Sequence, residues 1–221
     1  MLGRFLTQSA LSPARDWPLM SVASAARQPA LIGSHSVTQV AWVLRDRLSE
    51  SFADATLADA TRYTLSTLPS GMIDEREPQA LLRALVYRLG AAQATSVLRE
   101  AGVRTARQLL TENIPAFVHV ATRVLPRRTA CWMLLRRMRA SAWRFAGSGH
   151  FGVEPSAHGP EMVFSNCAMC RDMHEAQAMC AFYAGTFEHL FCQLVSSRAR
   201  VVETECMAKG ASDCRFRLLG I

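Results

Sequence analysis

The chain has 221 residues, of which 50% are hydrophobic, and 25 lysines and arginines against 18 acids give a formal net charge of +7. This composition excludes a disordered chain, and the length suits one full domain or a domain with an extension. No stretch approaches the roughly 20 consecutive apolar residues of a membrane span, and no secretory signal is visible. We therefore expect a cytoplasmic protein without a transmembrane segment, whose seven cysteines are free thiols or metal ligands rather than a disulfide framework.

The first part of the chain is predicted to be helical after an extension. Residues 1–36 contain three prolines and no sustained period, so we expect a flexible N-terminal extension there. From residue 37 to residue 140 apolar side chains recur at helical spacing, which predicts a helical part in which Gly90 and Gly102 separate helices. The predicted helices cover residues 37–48, 53–65, the segment opened by the acidic run 74–78, and residues 103–111, 115–124 and 127–140.

The pattern changes after residue 141. Trp143 and Phe145 alternate with Arg144, which predicts a strand within residues 142–151. Helices followed by an antiparallel sheet with one inserted helix make an α+β fold, with residues 141–221 as a C-terminal module. The remaining predicted elements are a strand at 161–165, a helix at 177–195, and two strands at 198–206 and 214–219 joined by a loop at 209–213.

The segment from Gly147 to Gly152 has the G-x-G-x-x-G spacing of a dinucleotide-binding loop. In such a loop the last glycine opens a helix, whose N-terminus holds the pyrophosphate. Here Pro155 and Pro160 follow, and only about 70 residues remain for the rest of such a fold. We therefore expect a glycine-rich hairpin turn, and we identify no NAD or flavin site in the sequence.

The cysteines suggest a metal site. Cys206 and Cys214 lie at the two ends of a predicted hairpin, where antiparallel pairing would bring their sulfur atoms together, and Glu203 precedes them on the same strand. Two thiolates held by a short loop make half of a tetrahedral zinc site, although ordinary buried cysteines are an alternative. Spacing alone leaves the other donors open: Cys180, Cys167, Cys170 or a histidine.

These residues resemble a known family. Cys180, then Glu203-x-x-Cys206, then seven residues and Cys214-Arg-Phe is similar to the vinyl-4-reductase (4VR) domain family. The resemblance implies that Cys180, Glu203, Cys206 and Cys214 bind zinc, and that the zinc is structural because four protein ligands leave no open position. Cys167 and Cys170 are not in the family's set. The family's fold resembles the Bet3 proteins, in which helices pack on a four-stranded antiparallel sheet, and the 4VR domain would cover residues 141–221.

The wider likeness covers residues 37–221 and is to the bacteriochlorophyll-biosynthesis members of this family. It implies binding of a chlorophyll-precursor tetrapyrrole, associated with 8-vinyl (4-vinyl) reduction of divinyl protochlorophyllide or chlorophyllide. It also implies partnership with pathway enzymes and a position at the surface of the photosynthetic membrane. The resemblance of the family's fold to the Bet3 proteins, which often pair, implies a homodimer. Two alternatives stay open: a non-catalytic tetrapyrrole carrier for pathway enzymes, and a sensor for small aromatics. Vinyl reduction requires two electrons and two protons, and no nicotinamide, flavin or iron–sulfur motif is recognisable, so the sequence leaves open whether the chain is an enzyme.

One segment carries the whole excess of positive charge. Seven arginines and no acid lie between residues 123 and 144, and subtracting them from the 25 cations leaves 18 against 18 acids. Interleaved aromatic residues suggest nucleic acid, but no nucleic-acid-binding signature accompanies them, so we expect no such partner. Three interpretations are left: arginines that bind the carboxylates of a tetrapyrrole, a surface for an acidic partner protein, or a solvated helix face. The arginines are Arg123, Arg127, Arg128, Arg136, Arg137, Arg139 and Arg144.

The histidines carry little information in the sequence. His189 lies on a predicted helix and is a candidate axial ligand for a magnesium tetrapyrrole, although an exposed or hydrogen-bonded histidine is the simpler interpretation. His119 and His174 lie on or beside helical segments, and the three others are expected in loops without a function: His35, His150 and His158.

Overall fold

The computed structural model describes residues 30–112, 114, 124–157 and 159–221. The helices found there are α1 His35–Arg47, α2 Glu50–Ala60, α3 Arg76–Leu89, α4 Ala91–Glu112, α5 Arg127–Ala140 and α6 Ala181–Leu194. The strands are β1 Leu31–Gly33, β2 Met72–Asp74, β3 His150–Ser156, β4 Gly159–Ser165, β5 Arg200–Glu205 and β6 Asp213–Leu219.

The sequence predicted a flexible extension over residues 1–36, of which residues 1–29 lie outside the described part of the chain. Its last part is regular, because β1 and the beginning of α1 fall within residues 31–36. β1 pairs antiparallel with β2, which places Ile32 opposite Ile73 in the core. The predicted helix at residues 115–124 also lies outside the described residues, apart from Val124.

The helical part is confirmed for α1, α2, α3 and α5, with ends shifted by a few residues. The face predicted for α3 is buried through Leu81, Leu82 and Leu85, because residues three and four apart share one side of a helix. α2 begins at Glu50 rather than at residue 53, because the Ser49 hydroxyl accepts the backbone N–H of Phe52 at 3.1 Å and caps the helix.

The predicted separation at Gly102 is wrong, because α4 runs without a break from Ala91 to Glu112. Gly102 serves helix packing instead: a Cβ atom there would lie 2.1 Å from the carbonyl oxygen of Phe182 on α6. Gly185 on α6 has the reciprocal position, because a Cβ atom there would lie 2.3 Å from the carbonyl oxygen of Arg99 on α4. The two helices therefore cross at backbone contact, which only residues without a Cβ atom permit.

The strand predicted within residues 142–151 is also wrong over most of its length. Residues Ala142–Arg144 form a 3-10 turn, and β3 begins only at His150. Gly147, with φ of 60°, lies in the turn that leads into β3, whereas Gly152 lies inside β3 opposite Val163. The glycine-rich segment is therefore the entry to a strand and not a hairpin turn. Phe145 points into the core, and the apparent alternation with Trp143 comes from a turn.

The C-terminal sheet has four antiparallel strands in the order β3-β4-β6-β5. One face is covered by α6, where Phe164 of β4 stacks on Tyr183 at 4.5 Å between ring centroids. Phe216 of β6 packs edge-on against Phe187 of α6 at 6.0 Å. Helices on an antiparallel sheet confirm the α+β fold class.

Two details of this sheet position the candidate site. α6 begins at Ala181 rather than at residue 177, so Cys180 is the residue that precedes the first turn and not part of it. β5 and β6 pair as predicted, but a register shift lies between Glu203 and Glu205. A 3-10 turn at Met207–Lys209, followed by Gly210 with φ of 90°, reverses the chain between the strands.

Candidate functional site

Five cysteines and one glutamate meet at the end of the sheet where α6 begins. All five thiols are buried, with at most 1% of each residue exposed. They come from separate parts of the C-terminal module: the loop after β4, the residue before α6, the turn between β5 and β6, and the start of β6. The residues of this cysteine cluster are Cys167, Cys170, Cys180, Cys206 and Cys214, with Glu203 of β5 beside them.

The four donors that the family resemblance implies do lie together. The sulfur atoms of Cys180, Cys206 and Cys214 and a carboxylate oxygen of Glu203 are all within 4.8 Å of one another. A second group satisfies the same distance limit and shares two members with the first: Cys167, Cys170, Cys180 and Cys214. Sequence spacing had left Cys167 and Cys170 open, and the family pattern omits them. Their C-x-x-C spacing was the signal in the sequence that could have included them.

The sulfur atoms are close enough to share one ion. The Sγ of Cys180 lies 3.7 Å from that of Cys214 and 3.6 Å from that of Cys167, and the Sγ of Cys170 lies 3.4 Å from that of Cys214. Zinc–sulfur bonds of about 2.3 Å at tetrahedral angles place sulfur atoms about 3.8 Å apart. The spacing and the thiol chemistry of the cysteine cluster therefore fit a tetrahedral thiolate site.

Backbone donors also point at the sulfur atoms. The N–H of Met179 donates to the Sγ of Cys206 at 3.4 Å, and the N–H of Met207 donates to the Sγ of Cys214 at 3.4 Å. Hydrogen bonds to a charged acceptor are stronger than hydrogen bonds to a neutral one, so these contacts favour the thiolate forms of both cysteines.

The electrostatics of the cluster require a positive charge for full ionisation. Hydrogen bonds from neighbouring thiols, chiefly from Cys170, lower the pKa of Cys206 to about 6. Hydrogen bonds in which Cys167 is the main partner lower the pKa of Cys214 to about 6. Contacts with the other thiols, beginning with Cys167, raise the pKa of Cys180 well above its ordinary value. Two thiolates thus form readily, whereas a third in the same buried space needs a cation.

The surroundings of Glu203 are also consistent with a cation in the cluster. Its Oε2 accepts the backbone N–H of Cys180 at 3.1 Å, whereas its Oε1 is buried and has no hydrogen-bond partner among the described residues. Burial first, and then the neighbouring Cys206, raise the pKa of this carboxyl to about 10. A buried carboxyl oxygen without a partner is costly, and a nearby cation or a proton on the carboxyl would reduce that cost.

A cavity of about 430 Å³ lies apart from the cluster, between β1, α4, α5 and α6. Its walls are mostly apolar and aromatic, and they include Phe145 and Tyr183. The Tyr183 hydroxyl is fixed by a 2.7 Å hydrogen bond to the carbonyl oxygen of Phe145, which leaves the ring as a rigid wall. Volume and lining are typical of pockets that bind small molecules or cofactors.

Two cationic side chains and one imidazole line the cavity. Arg137 of α5, Arg144 of the 3-10 turn and His35 at the start of α1 contribute them. Burial lowers the pKa of His35, and Arg144 lowers it further, while Glu112 acts in the opposite direction. Within the described part of the chain the His35 imidazole has no hydrogen-bond partner. Sequence reasoning had assigned His35 to a loop without a function, and only its position on the cavity wall reveals it.

The other candidates from the sequence are distributed differently. Arg127, Arg128, Arg136 and Arg139 are exposed along α5 and lie outside the cavity lining, and none forms an ion pair within the described ranges. His150 and His174 are exposed, and His189 of α6 is half-buried and does not line the cavity. Arg123, His119 and His158 lie outside the described residues. No helix in the part of the chain that the structure describes is long and apolar enough to cross a membrane.

Comparison with solved structures supports the fold. A crystal structure of the Fe(II) unliganded H-NOX protein from K. algicida has a TM-score of 0.54 to this chain at 13% sequence identity. The match covers 85% of this chain and 95% of that one. At this identity the likeness concerns the α+β fold alone.

Comparison at the sequence level identifies relatives. The V4R domain model matches residues 160–219, which contain all six residues of the cluster and confirm the expected domain family. The "Bacteriochlorophyll synthase 23 kDa chain" of Cereibacter sphaeroides is 32% identical over 188 residues, covering 85% of this chain and 90% of the relative. The protein of the same name from Rhodobacter capsulatus is 30% identical over 187 residues, covering 85% and 86%. The chain belongs to the family of the bacteriochlorophyll synthase 23 kDa chains, and its C-terminal part is a V4R domain.

Proposed function

We propose that this chain functions in bacteriochlorophyll biosynthesis by binding a chlorophyll-precursor tetrapyrrole in the cavity between β1, α4, α5 and α6. The observation that carries the proposal is the lining of this cavity, which combines aromatic walls with two arginines and a half-buried imidazole. The names of the relatives support the pathway. We also propose that the chain corresponds to bacteriochlorophyll biosynthesis protein J, a member of the 4-vinyl reductases.

The chemistry of such a pigment matches the lining. A chlorophyll precursor is a large flat apolar ring that carries carboxylates and a central magnesium ion. The rings of Phe145 and Tyr183 offer apolar surface to the macrocycle. Arg137 and Arg144 offer planar guanidinium groups, which bind carboxylates bidentately.

His35 supplies a ligand for the metal of the pigment. Its lowered pKa keeps the imidazole neutral at pH 7, and a neutral imidazole nitrogen binds metal ions. His35 replaces His189 in this role, because His189 does not line the cavity. The role requires only that the ring nitrogen faces the centre of the macrocycle.

Binding, rather than reduction, is the activity we assign to the chain alone. Reduction of a vinyl group consumes two electrons and two protons, and the sequence contains no recognisable nicotinamide or flavin motif to supply them. We therefore propose that the chain is an accessory protein for 8-vinyl reduction. It would act as a carrier that presents the pigment to pathway enzymes in the cytoplasm or at the membrane surface. The exposed arginines of α5, with Trp132 67% exposed among them, provide a surface for an acidic partner.

The second part of the proposal is a structural zinc ion at the cysteine cluster. Cys180, Cys206 and Cys214 are the thiolates that belong to the family pattern and lie together. With a fourth protein donor, which the family pattern gives as Glu203, no position is open for substrate, so the ion stabilises the C-terminal module, residues 141–221. In this arrangement the zinc ties the start of α6 to the sheet, and α6 in turn forms one wall of the cavity.

Absorption titration of the purified full chain with divinyl chlorophyllide, with and without NADPH, tests the binding proposal. We expect a shifted pigment spectrum with a 1:1 end point and no turnover. Arg137→Gln and Arg144→Gln are each expected to weaken binding about 10-fold, since a hydrogen bond to a charged group contributes about 1.5–3 kcal/mol.

Arg128→Gln is the matched control, because Arg128 is exposed on the same helix but does not line the cavity. Reduction of the vinyl group in the presence of NADPH would overturn the carrier role and support a reductase. No spectral change at any pigment concentration would overturn both readings. Equal loss of affinity in Arg128→Gln would show that general charge, and not the cavity, attracts the pigment.

A further inference from the structure

Cys170 lies against all three cysteines of the family pattern. Its Sγ is 3.2 Å from that of Cys180, 3.4 Å from that of Cys214 and 3.9 Å from that of Cys206. Four sulfur atoms around one zinc ion are about 3.8 Å apart, so Cys170 completes a compact set of four that needs only a slight separation of the sulfur atoms to hold the ion. We propose that Cys170 is a metal ligand and takes the fourth position at the cluster in preference to Glu203. This inference rests on the proposed zinc site and specifies its donors.

Glu203 is the competing donor. Its Oε2 accepts the backbone N–H of Cys180, and one of its carboxylate oxygens lies within 4.8 Å of the sulfur atoms of Cys180, Cys206 and Cys214. Zinc prefers thiolate to carboxylate where both are within reach. With four thiolates bound, Glu203 is a positioning residue that holds the backbone of Cys180 where α6 begins.

The backbone around Cys170 is held in place from the helical part. The guanidinium group of Arg171, the next residue, forms an ion pair with the buried Glu75 and donates to the Ser148 hydroxyl at 2.6 Å. Gln79 of α3 donates to the carbonyl oxygen of Arg171. A ligand whose neighbours are fixed in this way loses little conformational freedom on binding a metal.

Cys167 differs from Cys170 despite the short spacing between them. Its Sγ lies 3.6 Å from that of Cys180 and within 4.8 Å of those of Cys170 and Cys214, and its own backbone N–H donates to the Sδ of Met207 at 3.2 Å. Among the described residues Cys206 contacts Cys170, Cys180 and Cys214 but not Cys167, so Cys167 is the thiol that competes with Cys170 for the fourth position. This makes it a matched control, since it is as buried as Cys170 and belongs to the same loop.

The first experiment is X-ray absorption spectroscopy of the zinc-loaded full chain, with zinc content measured in parallel. We expect one zinc ion per chain, with four sulfur neighbours at about 2.3 Å. Three sulfur neighbours with one oxygen at about 2.0–2.2 Å would overturn the inference and leave the proposed zinc site intact. Absence of bound zinc would overturn both.

The second experiment uses cobalt in place of zinc, because thiolate-to-cobalt absorption grows with the number of sulfur ligands. Cys170→Ser is expected to lose about a quarter of this band, as one thiolate of four is removed. Cys167→Ser is expected to keep the whole band. Glu203→Gln is expected to keep it as well, while metal affinity falls about 10- to 100-fold, the effect typical of residues that position a ligand.

The opposite pattern, with the band intact in Cys170→Ser and altered in Glu203→Gln, would overturn the inference. If Cys170→Ser does not fold, the sulfur count of Cys167→Ser decides the question: four sulfur neighbours in that variant support Cys170 as the fourth ligand, and three overturn the inference. A merely structural role for Cys170 would lower stability without changing the number of sulfur ligands.

Discussion

Gly102 of α4 lies so close to Phe182 of α6 that a Cβ atom on Gly102 would be 2.1 Å from the Phe182 carbonyl oxygen. The Oγ1 of Thr186 reinforces this crossing, because it lies 3.1 Å from the carbonyl oxygen of Gly102. The crossing joins the helical part to the C-terminal module, and both helices contribute to the cavity. The size of the residue at position 102 therefore controls how the two parts fit together.

Gly102→Ala is expected to destabilise the protein, although alanine is the better helix former. The gain in helix propensity is about 1 kcal/mol, whereas a methyl group forced against backbone atoms costs about 1–3 kcal/mol and displaces α6. We expect a lower free energy of unfolding, measured by urea denaturation, together with weaker pigment binding. Gln93→Ala, an exposed change on the same helix, should change stability by less than about 0.5 kcal/mol. Equal or higher stability of Gly102→Ala would mean that the helices do not touch at this point.

Glu75 is expected to make stability depend on pH. Burial raises the pKa of this carboxyl, but the hydrogen bonds from the Ser148 backbone N–H, from Arg171 and from the Ser148 hydroxyl outweigh burial and hold the pKa below its ordinary 4.5. A carboxyl whose folded pKa is lowered stabilises the fold above the unfolded pKa, and this contribution disappears as the pH falls through the folded value. Glu75→Gln should therefore lower the free energy of unfolding by about 3 kcal/mol at pH 7, since it leaves Arg171 without its buried partner.

The difference between the native chain and Glu75→Gln should shrink as the pH falls below 4.5. Urea denaturation at a series of pH values measures it. Asp46→Asn is the control, because Asp46 also pairs with arginines but in solvent, where the interaction is screened. A difference that stays constant down to acid pH would show that Glu75 contributes by packing and not by charge.

Removal of the proposed zinc should destabilise the whole chain. Cys206→Ser is expected to lose the metal and to lower the free energy of unfolding by about 4 kcal/mol, the linkage expected when free zinc is about 1,000 times its Kd. For a chain of this length such a loss corresponds to a decrease in Tm of about 10 °C. A chelator should have the same effect on the native chain and no further effect on the variant.

Cys192→Ser separates loss of the metal from loss of a half-buried thiol outside the cluster. The Sγ of Cys192 donates to the carbonyl oxygen of Ala199 at 3.2 Å, away from the cluster, and a serine hydroxyl can replace that contact. We expect full zinc content and a change of less than about 1 kcal/mol in this variant. Zinc content equal in Cys206→Ser and the native chain would contradict the proposed site.

Binding of a magnesium pigment should respond to the protonation of His35. Burial lowers the pKa of His35 below its ordinary 6.5, so the ring is neutral above that pH and gains a proton only at lower pH. A protonated ring cannot bind magnesium, so affinity for the magnesium pigment should be constant above pH 6.5 and decrease below it. Pigment titrations at several pH values measure the decrease.

The metal-free form of the same pigment is the control, since it has no ion for His35 to bind. His35→Ala should bring the affinity for the magnesium pigment down to that of the metal-free pigment, and the pH dependence attributed to the imidazole should be absent. If His35→Ala binds both forms as the native chain does, His35 is a wall residue and not a ligand.

Periodicity predicted most elements correctly where one face of an element is buried. The leucines of α3 and the alternation in β6 show this, because burial of one face imposes a repeat of 3.6 or 2 residues that can be read directly. Prediction failed at Gly102 and at Trp143. A glycine serves equally to end a helix and to let another helix approach, and a turn places aromatic residues on alternate sides as a strand does.

The cluster was predicted in part, for a similar reason. Cys206 and Cys214 are joined by a short turn, so their proximity follows from the sequence. Cys170 and Cys180 come from a loop whose path depends on contacts with α3, including the ion pair between Arg171 and Glu75. No local pattern records a contact across that distance in the chain.

By itself the sequence determined the α+β class, the helical faces, the domain family and three of the thiols expected at the metal site, because each depends on residues close together in the chain or on a family spacing. Only the tertiary structure decided that Cys170 touches those three thiols and that His35, Arg137 and Arg144 share one cavity. Six of the seven arginines in the acid-free segment are described, and only the structure shows that two of them line the cavity while the other four lie on α5 away from it. The physical reason is that charge and donor atoms act through space, and helix packing sets those distances.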